Sequence, residues 1–272
     1  MAITLTIGLQ KGGISKTTST AVTAFLFSLM GYRTLMVDMD TQGNLTEMFL
    51  QEDLGELYDD DQVDGTIREA LEQQNPKPYL LRIQDNLDLL GASDHLASFT
   101  KDVYVESFFK KYEGREALIL RDTLSVVDQD YDLICIDTPP SLSILTVSAL
   151  AASDYVVPVV ECSKFAKTAL KRFFETIEYT QEEHNPNLKI FGILPTMIDQ
   201  RRTDAQVILE LIREDPKFGP YVLPYIIKRK ASTGRLPIYG FDQEMNKELK
   251  SATDPYIPFV KELMERVQNV TV

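Results

Sequence analysis

The chain holds little sulfur and little imidazole: two cysteines, Cys135 and Cys162, and two histidines, His95 and His184, among 272 residues. Without a Cys-x-x-Cys pair or a histidine near either thiol, local spacing assembles neither a disulfide framework nor a tetrahedral zinc site. Both thiols read as reduced and structural. No apolar run approaches the roughly 18 residues of a membrane span. The amino terminus enters a β-type segment instead of a basic, then apolar, leader. The expectation is a cytoplasmic protein with no membrane contact. Positive charge is also scarce: a net charge of −13 repels phosphate backbones overall and confines any nucleic-acid contact to a local patch. Missing too are a Gly-x-Ser-x-Gly nucleophile turn, a His-Glu-x-x-His helix and a carboxylate pair set out as a glycosidase dyad.

What is present is apolar residue, 44% of the chain, in a periodic arrangement. Short Val/Ile/Leu-rich runs at 2–8, Thr34–Val37, Leu87–Leu90, Leu133–Ile136, Tyr155–Val160 and Ile190–Leu194 read as strands. Helical patterns lie between them at Lys16–Met30, 97–112, 115–127, 141–152, 164–181 and 203–214. Strands alternating with helices predict an α/β fold, a mainly parallel central sheet with helices on both faces. One domain spanning 1–272 is expected, with an insertion at about 51–86 that carries one short helix near Ile67–Gln73. The acidic cluster from Glu52 to Asp64 reads as a solvated loop. Pro255–Val270 has apolar positions spaced for one helical face and charges of mixed sign, which favours docking on the core over a membrane surface.

In open parallel sheets ligands bind beyond the carboxyl ends of the strands, and three motifs fall there. The first is Lys11-Gly12-Gly13-Ile14-Ser15-Lys16-Thr17-Thr18, between the first strand and a long helix. Glycines let successive N–H groups face phosphate oxygens, and the helix start adds a favourable dipole. Lys16 is expected on the β- and γ-phosphates and the Thr17 hydroxyl on Mg2+. The pattern GxxxxGK[ST] is not met, because Gln10 and Ser15 stand at its glycine positions. The variant KGGxxKT is met, with Lys11 as a second lysine near the same phosphates, as in P-loop NTPases with a deviant Walker A motif. The second motif, Val37-Asp38-Met39-Asp40-Thr41-Gln42-Gly43-Asn44, offers Asp40 to orient an attacking water and Asp38 to hold the metal's water shell. The third, Leu133-Ile134-Cys135-Ile136-Asp137-Thr138-Pro139-Pro140, ends a strand on Asp137, suited to contact Mg2+ directly or through water. Singly, each is also an ordinary turn or strand end; together and in this order they point to Mg-ATP.

KGGISKTT, VDMDTQGN and IDTPPSL in that order resemble the ParA family of partition ATPases, Soj-like chromosomal members included, over most of the chain. The insertion matches least. The resemblance implies ATP and Mg2+ as cofactors and catalytic roles for Lys11, Lys16 and Asp40. It also implies a nucleotide sandwich homodimer in which Lys11 reaches the partner's phosphates. Such a dimer would bind DNA nonspecifically, be nucleoid-associated when ATP-bound, and be released when a ParB-like partner stimulates hydrolysis. Ser15 stands where the family usually has Gly. We expect a helix-like φ there, since a left-handed φ is costly for a residue with a Cβ. Lys228, Arg229, Lys230 and Arg235, with Lys171 and Arg172, are the candidate DNA-contacting strip; the competing reading is a scatter of ordinary surface cations. No helix-turn-helix pattern precedes the loop, so an operator-specific repressor is not expected. A MinD-like membrane switch shares the three motifs but needs a basic amphipathic tail. An electron carrier of the nitrogenase-reductase type needs cysteines between subunits, whereas Cys135 falls within a strand. A nucleotide-binding scaffold without hydrolysis stays open because of Ser15.

Overall fold

The structure, a computed structural model, describes residues 1–9, 15–59, 63–196, 203–242 and 244–270. Its strands are β1 (Ile3–Gly8), β2 (Thr34–Asp38), β3 (Leu80–Gln84), β4 (Leu87–Leu90), β5 (Leu133–Asp137), β6 (Tyr155–Glu161), β7 (Lys189–Ile190) and β8 (Leu194–Thr196). They form one sheet in the order β3-β4-β2-β5-β1-β6-β7, with β8 also on β6. Every pairing is parallel except β3 with β4. The helices are α1 (Lys16–Leu29), α2 (Asn44–Leu50), α3 (Leu54–Asp59), α4 (Ile67–Gln73), α5 (Leu96–Val105), α6 (Ile119–Leu124), α7 (Ile144–Ala151), α8 (Ala166–Glu183) and α9 (Thr203–Arg213), then α10 (Ala231–Gly234), α11 (Leu236–Tyr239), α12 (Lys247–Thr253) and α13 (Ile257–Val270).

Alternation along the central strands builds two cores, one on each face. On β5, Leu133 and Cys135 pack with Phe25 of α1, Phe173 of α8 and Phe259 of α13. Its Ile134 and Ile136 pack on the other face with Ile67, Phe99, Ile119 and Ala149 from α4 to α7. Because both faces are covered, the strands are continuous apolar runs, as the sequence suggested. Each fully buried Phe or Leu contributes about 1.5–3 kcal/mol by leaving water. α1 is buried over most of its length, Val22, Phe25 and Phe27 completely. The apolar face of α13 docks on the first core through Phe259, Val260 and Leu263. Among the described residues no helix is long and apolar enough to cross a membrane.

Three expectations need correction. The strand expected at Ile190–Leu194 is split: Phe191–Ile193 leaves the ladder between β7 and β8, and Ile193 instead bridges Val222. Gly192 marks the cause, since an added Cβ would meet the Leu223 side chain at 2.5 Å, so the 222–223 segment packs directly on the backbone there. The insertion holds α4 as expected, capped reciprocally by Thr66 and Glu69. It holds a second helix too, α3, in the acidic stretch expected to be a solvated loop, where Leu54 is buried beneath the exposed carboxylates. It also supplies β3, which no sequence pattern signalled. β3 is a half-buried edge strand joined to β4 through Asp85-Asn86, with Asn86 in the left-handed region at φ 60.

Candidate nucleotide site

The parallel register puts the ends of β1, β2 and β5 side by side, with Asp38 directly opposite Asp137 across the β2–β5 pairing and Ile7 beside Asp137 on β1. α1 starts above this row. Lys11, Gly12, Gly13 and Ile14 lie outside the described residues. From Ser15 onward the helix start is defined. Ser15 adopts φ 66 and ψ 25, so the helix-like φ expected of it is wrong. Its side chain caps nothing, and the first turn of α1 carries no acidic residue. A left-handed residue at a helix start turns successive N–H groups toward one concavity, which is an anion nest. The Cβ strain of such a residue is about 1–2 kcal/mol.

Lys16 is 6% exposed, and burial lowers its pKa while Asp137 and Asp40 pull it back up. The Thr17 hydroxyl donates to Asp137 Oδ2 at 2.7 Å, and Thr20 reaches Asp137 Oδ1 at 3.5 Å. Asp137 is fully buried; burial and then the Asp38 charge raise its pKa, while the Thr17 hydrogen bond and Lys16 oppose the rise. A buried carboxylate against a threonine hydroxyl is a hard-oxygen donor set that fits Mg2+, and a divalent cation would relieve the charge that burial penalises there. Thr18 lines the same cleft, which has a volume of about 630 Å³ and is also bounded by Asp40, Gln42, Asn44, Met48, Pro140 and Pro237.

Both oxygens of Asp38 accept hydrogen bonds from the protein. Its Oδ1 accepts from Asp40 N–H at 3.0 Å, and its Oδ2 accepts from both N–H and hydroxyl of Thr46, at 3.0 and 2.8 Å. The Thr46 hydroxyl in turn accepts from Ala92 N–H at 2.9 Å, tying α2 and the end of β4 to the same carboxylate. Burial is the main reason the Asp38 pKa is raised. With both oxygens engaged by the protein, Asp38 fastens the loop, and Asp137 is the carboxylate beside Thr17. Asp40 lies at the cleft wall, its Oδ1 accepting from Gln42 N–H at 3.1 Å and its carbonyl from Gly43 N–H at 2.9 Å. Gly43 has φ 60, and a Cβ there would meet the Ala92 carbonyl at 2.9 Å.

The described part of the cleft, a helix start beside strand-end carboxylates, is compatible with a nucleotide site, and comparison with known proteins gives the family. A family model described as an AAA domain matches residues 2–190. The chromosome partitioning protein ParA of Myxococcus xanthus is 33% identical over 94% of this chain and 86% of its own length. The chain belongs to the ParA/Soj family. The chromosome-partitioning ATPase Soj of Thermus thermophilus is 31% identical over 95% of this chain and 94% of that protein. Among solved structures, cobyrinic acid a,c-diamide synthase from Mycobacterium smegmatis with bound ADP and magnesium superposes with a TM-score of 0.75 at 30% identity, covering 87% of this chain and 91% of that one. ParA/Soj membership thus rests on motif order, fold and sequence likeness together.

The structure does not bring the expected basic strip together as free cations. Lys228 and Arg229 are exposed. Lys230 donates to the Ser251 carbonyl at 2.8 Å, and Arg235 pairs with Glu248 at 3.0 Å, both on α12. Lys171 and Arg172 sit exposed on α8. Sequence reasoning missed Thr46, Gln51 and Pro237, which shape the site through contacts no spacing announces.

Proposed function

We propose that this chain is a Mg-ATP-dependent partition ATPase built as a single domain with an insertion at about 51–86, cytoplasmic and nucleoid-associated when ATP-bound. The observation that carries this reading is the Thr17–Asp137 hydrogen bond beside buried Lys16, at a helix start that faces an open cleft. In it Thr17 and Asp137 would hold Mg2+, which supplies charge neutralisation on the phosphates. Lys16 would neutralise its own nucleotide's β- and γ-oxygens, and the N–H groups from Ser15 to Thr18 would hold the triphosphate in place. Asp40, at the cleft wall, orients the attacking water by hydrogen bonding; the reaction asks mainly for such positioning. Lys11 reaches the nucleotide of a second copy in a sandwich dimer, which makes ATP the control of dimerisation. The dimer binds DNA nonspecifically through Lys228 and Arg229, with Lys230 and Arg235 joining only if their α12 partners let go, and a ParB-like partner stimulates hydrolysis and release. The buried apolar face of α13 supports this over a membrane-bound switch.

The test is phosphate release from Mg-ATP, with and without random-sequence DNA and a ParB-like partner, together with ATP-dependent gel shift at low and moderate salt. Wild type should shift DNA only with ATP and lose the shift steeply as salt rises. Lys16→Ala should abolish both hydrolysis and shift; retained ATP-dependent DNA binding by Lys16→Ala contradicts the switch.

A further inference from the structure

One wall of the cleft has no task in the proposed reaction. Residues Arg235 to Phe241, which include α11, form a strap that meets the cleft at Pro237, its one residue among the cleft lining. Its far side leaves Ile238 and Tyr239 at 69% and 65% exposed. The strap is fastened mainly to α2. Gln51, the residue that ends α2, is left-handed at φ 59, and its Nε2 donates to the carbonyls of Met48 at 3.0 Å and Pro237 at 3.2 Å. Gly240, at φ 66, lies against that amide; an added Cβ would stand 3.6 Å from Nε2. The Phe241 ring then stacks on Phe49 of α2, centroids 4.5 Å apart and planes 13° from parallel, and leans on Phe25 of α1 at 5.0 Å.

The same helix is fastened at its other end to the loop that carries Asp40. Thr46 donates twice to Asp38, and Asp38 accepts from the Asp40 N–H. A continuous path of hydrogen bonds and one short helix therefore runs from Asp40 through Asp38, Thr46 and Gln51 to Pro237. Gln51 ends α2 in the left-handed conformation common at helix carboxyl ends, and from there its amide reaches the strap.

We infer that Gln51 is a positioning residue of the nucleotide site, latching the strap to α2 so that occupancy of the cleft orders residues 236–241 and fixes the exposed Ile238–Tyr239 surface. The inference rests on the nucleotide reading of the cleft and adds a regulated surface to it. Contact alone does not establish coupling; on this inference the strap is the element that would have two arrangements, docked as seen here and released.

The experiment is hydrogen exchange on the full chain, with and without the Mg complex of a non-hydrolysable ATP analogue. The reporters are the first turn of α1 and the amides of Tyr239 and Gly240, which donate to the Arg235 and Leu236 carbonyls. In wild type the nucleotide slows exchange at both places. In Gln51→Met, similar in size but without a donor, slowing at α1 persists while slowing at the strap shrinks by about fivefold, the worth of one net hydrogen bond. Gln51→Lys, which regains a donor of similar reach, restores it. Full strap slowing in Gln51→Met overturns the inference, as does a wild type slowed at α1 but not at the strap. Loss of α2 protection in Gln51→Met and Gln51→Lys alike, without nucleotide, reduces Gln51 to a structural role and also overturns it. A wild type with no slowing at α1 sinks the nucleotide reading itself.

Discussion

Ser15→Gly is the sharpest probe of how the phosphate loop is built. At φ 66 and ψ 25 the Ser15 Cβ lies in the region that L-residues avoid, at a cost of about 1–2 kcal/mol. Glycine removes that cost and adds about 0.5–1 kcal/mol of unfolded-chain entropy to be lost on folding. No cap hydrogen bond is forfeited, because the Ser15 side chain makes none. The two ranges net to a gain of about 0–1.5 kcal/mol, and each kcal/mol raises Tm by roughly 2–4 °C for a domain this size. Ser15→Ala keeps the Cβ and drops only the hydroxyl, so it should stay within about 0.5 kcal/mol of wild type. Urea denaturation of the three proteins, with calorimetry in nucleotide-free buffer, measures the series. Nucleotide affinity should change little in Ser15→Gly, since the N–H directions are retained. If glycine and alanine behave alike, or if glycine destabilises by more than about 1 kcal/mol, Cβ strain is not what Ser15 brings to the loop.

Two further outcomes follow from the carboxylates. Thr46→Val should cost about 2–3 kcal/mol in urea denaturation, because it strips a donor from buried Asp38 and an acceptor from Ala92 N–H; Thr46→Ser should recover most of that, and a loss under about 0.5 kcal/mol for valine would show the network to be slack. The Asp137 pKa is raised above its unfolded value chiefly by burial, so the folded state binds the extra proton; the associated stability is complete below the ordinary carboxylate range, near pH 4, and declines as pH climbs through the raised value, by at most about 1.4 kcal/mol per unit. Denaturation midpoints of metal-free protein should therefore fall from acid toward neutral pH, Asp137→Asn should flatten that fall, and Mg-ATP should reduce it by placing a cation against the carboxylate; a wild-type profile as flat as that of Asp137→Asn means the carboxyl titrates normally.

The parts of the site legible in the sequence are those whose chemistry and position coincide on the chain. Asp137 ends an apolar run, Lys16 and Thr17 open a long helix, and a parallel sheet brings such ends together without further instruction. The left-handed φ of Ser15 is not legible, because the local steric preference of a residue with a Cβ points the other way. Asp38 is legible as a carboxylate at the strand end, but nothing in VDMD announces that Thr46, a turn into the next helix, will engage one of its oxygens. β3 escaped notice because an edge strand needs only one apolar face and its register comes from a two-residue turn. Cations mislead most easily. Lys228, Arg229, Lys230 and Arg235 are one cluster in sequence, yet α12 engages the last two.

That division bears on how DNA contact would be controlled. The Arg235–Glu248 pair is exposed on both sides, and such pairs contribute only about 0–1 kcal/mol. A phosphate therefore competes for Arg235 on nearly equal terms with Glu248, and a small displacement of the strap would decide between them. Lys230 is harder to recruit, because releasing it leaves the Ser251 carbonyl without that donor. If the strap follows the cleft, nucleotide would act on DNA affinity mainly by changing the availability of Arg235, with Lys228 and Arg229 supplying a constant background. Arg235→Ala should then lower the difference between ATP-bound and free protein in DNA retention, whereas a Lys228→Ala, Arg229→Ala pair should weaken both states together. Equal loss of the ATP-dependent difference in the two variants would break the argument that the strap selects which cations act.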